Sequence, residues 1–490
     1  MTEDMGVGNF LRRRGSVVAL VSAVVVIPCV WQRHIEAGDL GSHVYNAWLA
    51  ELVEQGKAPG VYVVTAWKNV LFDLMLFYLG KIVGLGIAEK VAVGVCVLIF
   101  FWGVFALVAA VTGKMPWGLT PAMAMLAYGY VFYMGFINFY LSIGLASVAL
   151  AVLWPGTKAR VLWAVVLAPV ILLAHPLGLL WLVGTAAYRL LWLRLEGRWR
   201  LALPASVVAF SVGILVFFLR HPEYQADWDG QLFYMRNGAD QLAIYGRRFE
   251  VLSWGLLAFG MVCAVVDAWT AAGRGREYWK ERRLILELYF AAVCVTACVP
   301  QNLRPDPNAG WIGVVATRLT VISAIFGLCW LASLRARWWQ VAGFGAVAIL
   351  FFAFMFQETA RLNRLEENAE RITRELPFGT RVLVMAFPDA SYRQMFIHAA
   401  DRACVGHCFV YSNYEPSTKE FRVRVQVQVG SAVVTANVDD SEDMQSGTYE
   451  VQEEDLPLKQ IYQCDASDLT RMCVRDLVTG ELNGRVGYRP

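Results

Sequence analysis

From residue 89 to residue 356 the chain is a succession of apolar runs, at 89–111, 119–135, 137–154, 160–174, 177–193, 202–219, 251–268, 284–300, 312–332 and 338–356. A hydrocarbon core about 30 Å thick is crossed by roughly 20 residues of helix. Backbone in lipid must satisfy its own hydrogen bonds, so runs of this length fold as helices. A further run, 16–31, follows Leu11-Arg12-Arg13-Arg14. A basic flank before an apolar run also fits a cleaved signal peptide. However, VVVIPCVWQ offers no small-x-small cleavage site, and a signal anchor with its N-terminus inside is the better reading. Composition agrees: 57% of residues are hydrophobic and 17% charged, against about 45–50% and 25% in soluble domains. The net charge of +3 is too small to argue for nucleic acid.

Sidedness turns on residues 61–86, an apolar stretch that also holds Lys68, Asp73 and Lys81. Taken as non-spanning, it leaves about eleven transmembrane helices. Every basic connector then falls inside: Lys114, Lys158 with Arg160, residues 194–200, residues 274–283, and Arg335 with Arg337. Taken as spanning, it moves all five outside, against the positive-inside bias. The stretch therefore reads as a helix lying along the outer interface. This places outside an interfacial loop at 32–88, a loop at 220–250, and everything after residue 356. The expected fold is a polytopic α-helical membrane protein, residues 1–356, followed by an extracytoplasmic C-terminal α/β domain, residues 357–490. The expected location is the cytoplasmic (inner) membrane, multi-pass.

The chemistry-bearing residues collect on that outer side. Glu36, Asp39 and His43 lie in WQRHIEAGDLGSHVYNAWLAELVEQGKAPG. On a helix their i, i+3, i+7 spacing would put them on one face. Two acids and an imidazole suffice for proton transfer, or for a solvated amphipathic surface. Asn138 lies in a tight reversal between two runs, where it can cap a helix or line a site. His175 precedes Pro176 at a helix end; His34 and His221 read as surface. Arg318 sits inside an apolar run, in GVVATRLTVI, and Arg304 in QNLRPDPNAGW. An arginine at membrane depth is costly and faces a partner or a polar cavity, and its fork suits phosphate or carboxylate. Asp227-Trp228-Asp229 is a D-x-D that two carboxylates could use to hold a divalent cation, a weak signal in three letters. No phosphate-binding glycine loop of the GxxxxGK[ST] or GxGxxG kind occurs.

The tail changes character abruptly. ETARLNRLEENAERITRELP has a helical apolar period at Leu362, Leu365, Ala369, Ile372 and Leu376, ended by Pro377 and Gly379. Strands are expected at 381–387, 421–429, 449–451, 460–464 and 471–477. Cys404, Cys408, Cys464 and Cys473 lie in this part. On an oxidising side they are disulfide candidates; with His398 or His407 they could bind zinc. Pairing is not deducible from spacing. The other six cysteines lie in apolar runs as small hydrophobes.

Glu36-Ala37-Gly38-Asp39 soon after the first span, the interfacial segment to Gly86, and Arg318 late in the membrane part resemble the layout of the GT-C-type integral membrane glycosyltransferases. The resemblance covers architecture to about residue 356. It implies a sugar moved from a polyprenyl-phosphate donor in the bilayer to an acceptor on the outer face. Asp39, or Glu36 in competition with it, would act as general base, with His43 orienting the acid. Arg318, with Arg304, would bind the lipid phosphate. Where that family often carries a second acid in the next outer loop, this chain has Asn138. The rival class is a transporter, flippase or envelope-assembly protein with an external binding domain, which predicts acids midway through spans and helices broken at the bilayer midplane.

Overall fold

The computed structural model describes residues 7–228, 237–271, 275–305, 310–385, 398–418, 420–426, 431–465, 468 and 470–484. Asp229 lies outside them. The chain is mostly helical, with a small sheet region toward its C-terminus. Helix α1 (Val7–Val26) leads by a short 3-10 turn into a loop, and α2 (Leu40–Glu54) follows. Strand β1 (Val61–Val63) and α3 (Leu71–Val83) precede the long α4 (Leu85–Thr112). The run expected at 119–135 is broken into α5 (Thr120–Ala127) and α6 (Tyr130–Tyr133). At the break, the Gly129 N–H bonds back to the Leu126 carbonyl and a Cβ there would meet the Gln241 carbonyl oxygen at 2.9 Å. Next come α7 (Ile137–Leu153), α8 (Lys158–Ala174), α9 (Pro176–Arg194), α10 (Ala202–Arg220), α11 (Arg247–Thr270), α12 (Gly275–Cys298), α13 (Val315–Ser333) and α14 (Trp338–Thr373).

Six helical segments are long and apolar enough to cross a bilayer: α4, α9, residues 197–220 including α10, α11, α13 and α14. Three shorter apolar helices lie at 14–29, 137–153 and 160–174. The spanning helices divide by burial. The apolar stretch of α4 is 61% buried and that of α13 50%, whereas that of the segment with α10 is 11% and that of α11 17%. The first two form the bundle centre. The others turn side chains such as Phe210, Leu219, Trp254 and Val265 outward, a surface suited to lipid. Close packing at the centre needs small residues: a Cβ on Gly103 of α4 would meet the Gly144 carbonyl oxygen of α7 at 2.4 Å.

Helix α3 has 13 residues, roughly 20 Å of helix, less than a hydrocarbon core of about 30 Å. It runs beside α2, with Asp73 bonded to His43 near its start and Lys81 paired with Glu54 near its end.

Helix α14 continues without a break through the charged stretch foreseen as a separate helix, 36 residues in all. Beyond it lie β2 (Thr380–Met385), α15 (Ala399–Ala403), β3 (Cys408–Val410), β4 (Val423–Val425), α16 (Val438–Ser446), β5 (Lys459–Gln463) and β6 (Met472–Asp476). The sheet order is β3-β2-β5-β6, with β2 parallel to both neighbours and β5–β6 antiparallel. Among the described residues of the alternating stretch at 421–429, Val423–Val425 form β4, which pairs with β1 of the first loop. At 449–451 there is a single bridge, Glu450 to Leu482. Cys404 pairs with Cys408 and Cys464 with Cys473, both as disulfides.

The first loop and the tail share a core. Tyr45, Trp48 and Leu49 of α2 pack with Val382, Phe409, Val410, Ile461 and Leu365. Twelve of the fifteen residues of α2 are buried, as expected of a helix covered on several sides.

Candidate functional site

The start of α2 is fixed by backbone. Gly38 and Asp39 donate their N–H groups to the carbonyls of Tyr133 (2.8 Å) and Met134 (3.0 Å). Only glycine permits this approach: a Cβ on Gly38 would meet the Met134 oxygen at 2.5 Å, and one on Gly135 (φ +75°) the Asp39 nitrogen at 2.4 Å. Asp39 thus becomes the N-cap of α2. An aspartate there normally accepts from the first helical turn, but this side chain makes no capping bond. It keeps 26% of its surface exposed, against 8% for His43 and for His398 beside it.

Behind Asp39 lies a chain of paired groups. His43 Nδ1 is 2.7 Å from Asp73 Oδ1, and the Asn138 amide donates to Asp73 Oδ2 at 2.8 Å. Asn138 Oδ1 accepts the Phe72 N–H at 2.8 Å. Asn138 therefore anchors the acid that holds His43. Burial opposes the charged form of His43, but Asp73, by charge and by hydrogen bond, with Glu415 and Asp39 adding to it, raises its pKa to about 9. The tail supplies the opposite wall. Ser42 donates to Glu415 Oε1 at 2.9 Å, and Asn46 and Asn413 bond to each other through their amides. Burial, reinforced by Asp73 and opposed by His43, pushes Glu415 up to about 7. His398 Nε2 lies 3.7 Å from Asp39 Oδ1. A narrow cleft lined by Asn46, Asn69, Asp73, Glu415, Phe421 and Arg422 adjoins the Asp73–Glu415 side.

Arg318 stands in the first turn of α13, the end of a helix where a cation is disfavoured. Its guanidinium lies 3.9 Å over the Phe136 ring and donates from Nη2 to the Gly313 carbonyl, while Nε is buried and unpaired. Asp39, Tyr130 and Tyr414 are its electrostatic neighbours. His175, the N-cap of α9, accepts the Leu177 N–H on Nδ1 at 3.2 Å. Burial, with the cations Arg318 and Lys68 adding to it, depresses its pKa. The neutral ring then carries its proton on Nε2 as a donor. Arg318 and His175 are electrostatic neighbours, and a guanidinium with a neutral imidazole N–H makes a donor set suited to an anion with several acceptor oxygens.

Asp39, His43, Asn138, His175 and Arg318 are therefore brought into one neighbourhood. Glu36 is not. Helix α2 begins at Leu40, so Glu36 precedes it and the one-face spacing does not arise. Glu36 turns into a second cluster, where it accepts from Asn363 at 2.7 Å. Arg402 grips Glu366 with Nε and Nη2, both at 2.6 Å, and reaches Glu89 and the Ile35 carbonyl with Nη1. His34, expected at the surface, has a side chain only 10% exposed and pairs with Glu370, which also binds Arg33 and Arg374. Arg304 is also elsewhere, paired with Asp439 at 2.6 Å. Asp227 accepts from the Asn302 amide at 3.0 Å, and its D-x-D partner Asp229 falls outside the described residues.

Among the described residues, one group has metal-like spacing: His34, Glu366 and Glu370. Its carboxylates are already held by arginines. Sequence reasoning missed Asp73 as a ligand of His43 and missed the contributions of His398, Asp401 and Glu415. The polar face of α2, Asp39-Ser42-His43-Asn46 at i, i+3, i+4, i+7, was the readable signal for the last of these. No family model matches the chain, and no curated protein and no solved structure matches it.

Proposed function

We propose that the chain is a membrane glycosyltransferase that moves a sugar from a polyprenyl-phosphate donor to an acceptor on the outer face of the cytoplasmic membrane. The observation carrying this reading is a partly exposed carboxylate, Asp39, which makes no capping bond, within electrostatic reach of an arginine, Arg318, that holds a buried unpaired donor. Such a pair can remove a proton on one side of a reacting carbon and receive negative charge on the other. Asp39 takes the proton of the acceptor hydroxyl, whose oxygen forms the bond to the anomeric carbon. The bond from that carbon to the phosphate oxygen breaks, and its electron pair leaves with the lipid phosphate. Arg318, with His175 Nε2, holds that charge. His43, Asp73 and Asn138 form the rigid floor.

The sidedness in this reading is eleven crossings, with α3 along the outer interface and the tail outside. Supporting it are the shortness of α3, its contacts with α2 at both ends, and two disulfides in the tail. A transporter would use acids within spans. Asp267, the buried acid of α11, is engaged at the helix end by the Tyr278 hydroxyl (2.9 Å) and the Arg335 N–H (3.0 Å), which disfavours that role.

The test is mass spectrometry of lipid co-purified with the full chain and with Arg318→Gln. Polyprenyl phosphate or its sugar conjugate on the wild type, and its loss from the variant, supports the reading. Bulk phospholipid alone on both ends it.

A further inference from the structure

His398 enters the site from the tail, at the start of α15. Its Nδ1 is 2.8 Å from Asp401 Oδ2, three residues on, and its Nε2 points to Asp39 Oδ1 at 3.7 Å. Asp401 is a carboxylate, so the proton of that short contact sits on Nδ1. The ring is then held in one orientation between two acids, with the Tyr414 ring tilted at 51° beside it, centroids 5.5 Å apart. His43 donates its backbone N–H to the Asp39 carbonyl at 3.0 Å, but the side chains of His43, Asp73 and Asn138 are committed to one another and to Phe72, not to the Asp39 carboxylate. The orientation of the exposed acid is therefore left to the tail.

We infer that His398, braced by Asp401, is the positioning residue of Asp39, so that the site is complete only with the tail docked. The deduction rests on the glycosyl-transfer reading for its catalytic consequence, but the coupling of the two residues stands independently of it. His398 Nε2–H binds Oδ1 of Asp39, and Oδ2 is left to face the acceptor hydroxyl. The distance of 3.7 Å is longer than a hydrogen bond, and contacts of this type tighten when substrate is bound. The groups facing His398 are Asp401 on its own helix, Asp39 at the start of α2, and Tyr414 and Glu415 from the loop beyond β3. Burial opposes its charged form, and Asp401, Asp39 and Glu415 together overcome this and raise its pKa. The buried Arg402, next in the chain to Asp401, is clamped to α14 and α4 through Glu366 and Glu89. This clamp fixes where α15 stands, and hence where His398 points.

Only six histidines occur in the chain, so histidine-labelled full-length protein in lipid nanodiscs gives a spectrum that single substitutions can assign. His398→Gln identifies the resonance. Asp39→Asn is expected to lower the midpoint of the His398 titration by about one pH unit, and Asp401→Asn to lower it further. A His398 titration that Asp39→Asn leaves unmoved overturns the inference. This arm needs no turnover. In the second arm, His398→Gln is expected to lower kcat for transfer from a polyprenyl-phosphate sugar by about 10²-fold, with KM for the donor unchanged. The pH profile of Asp401→Asn should lose its alkaline limb at lower pH than wild type. A purely structural role would move KM and thermal stability together and leave the profile in place, which also overturns the inference. A coupled titration without any transfer defeats the functional reading alone.

Discussion

Two polar clusters lie a few residues apart in the first loop, and they are built differently. In the Arg402 cluster the guanidinium and carboxylates are engaged with one another: Arg402 uses Nε, Nη1 and Nη2 on Glu366, Glu89 and Ile35, Glu36 is held by Asn363, and His34 makes an ion contact with Glu370 at 3.1 Å, although its Nε2 forms no hydrogen bond. In the Asp39 cluster the floor is equally well paired, but Asp39 makes no capping bond and stays partly exposed, and Arg318, its electrostatic neighbour, keeps an unpaired Nε. Complete pairing is what a buried ionic network needs to survive desolvation. Incomplete pairing at a partly open position is what binding or catalysis needs. The sequence places Glu36 and Asp39 three residues apart; Gly38 and the start of α2 at Leu40 send them to opposite purposes.

The comparison breaks most easily at its two centres. Asp39→Asn is expected to lower transfer by about 10²–10⁴-fold while the unfolding temperature stays within a degree or so of wild type. Arg402→Ala should do the reverse. It leaves Glu366 and Glu89 buried without their cation, at a cost of about 3–5 kcal/mol, read as a lowered melting temperature and early elution or aggregation in detergent. If Asp39→Asn destabilises and Arg402→Ala does not, the two clusters have been assigned the wrong way round. Arg318→Gln comes next, with a loss of about 10²-fold in kcat. Arg318→Lys should recover only part of it, because an ammonium cannot present the planar fork.

The pH dependence sharpens the contrast. His43 is raised from 6.5 to about 9, so its contribution to stability is complete below pH 6.5 and is lost as pH rises through 9. Glu415 is raised from 4.5 to about 7. The folded state therefore holds its proton more tightly, and that contribution is complete below 4.5 and lost as pH rises through 7. Stability should fall in two stages with rising pH, about 1–3 kcal/mol in each. Glu415→Gln should remove the lower stage and keep the upper one. A single stage that survives Glu415→Gln unchanged would sink this account.

Much of the membrane part was legible because lipid leaves the chain few options. Runs of about 20 apolar residues read directly as helices, and six of them have the length and composition to cross. The tail was less so. Strands β2, β5 and β6 followed from alternation and apolar runs, but β4 pairs with β1 from over 350 residues earlier, and no local pattern announces a partner at that distance. The same reason hid half of the candidate site. Asp73 reads as one charge of an interfacial helix, and His398 as a zinc candidate near two cysteines, until the fold brings them to His43 and Asp39. Arg304 shows the converse. Its sequence context matched an anion site, yet it meets Asp439 of α16.

The smallest expected effect discriminates the two clusters most finely. Burial, then the neighbouring charge of Glu366, pushes the pKa of Glu36 well above the usual carboxylate range, which favours the uncharged acid, and the side chain accepts from Asn363. Glutamine has nearly the same shape and keeps that acceptor. Glu36→Gln should therefore change stability by less than about 1 kcal/mol and transfer by no more than about twofold, measured by thermal unfolding and by the same assay as Asp39→Asn. Glu36 also lines a small cavity with Trp31, Tyr128, Tyr133 and Tyr245. A loss of transfer in Glu36→Gln as large as that in Asp39→Asn would mean that the working acid lies there, and that the Asp39 cluster holds the structure together instead.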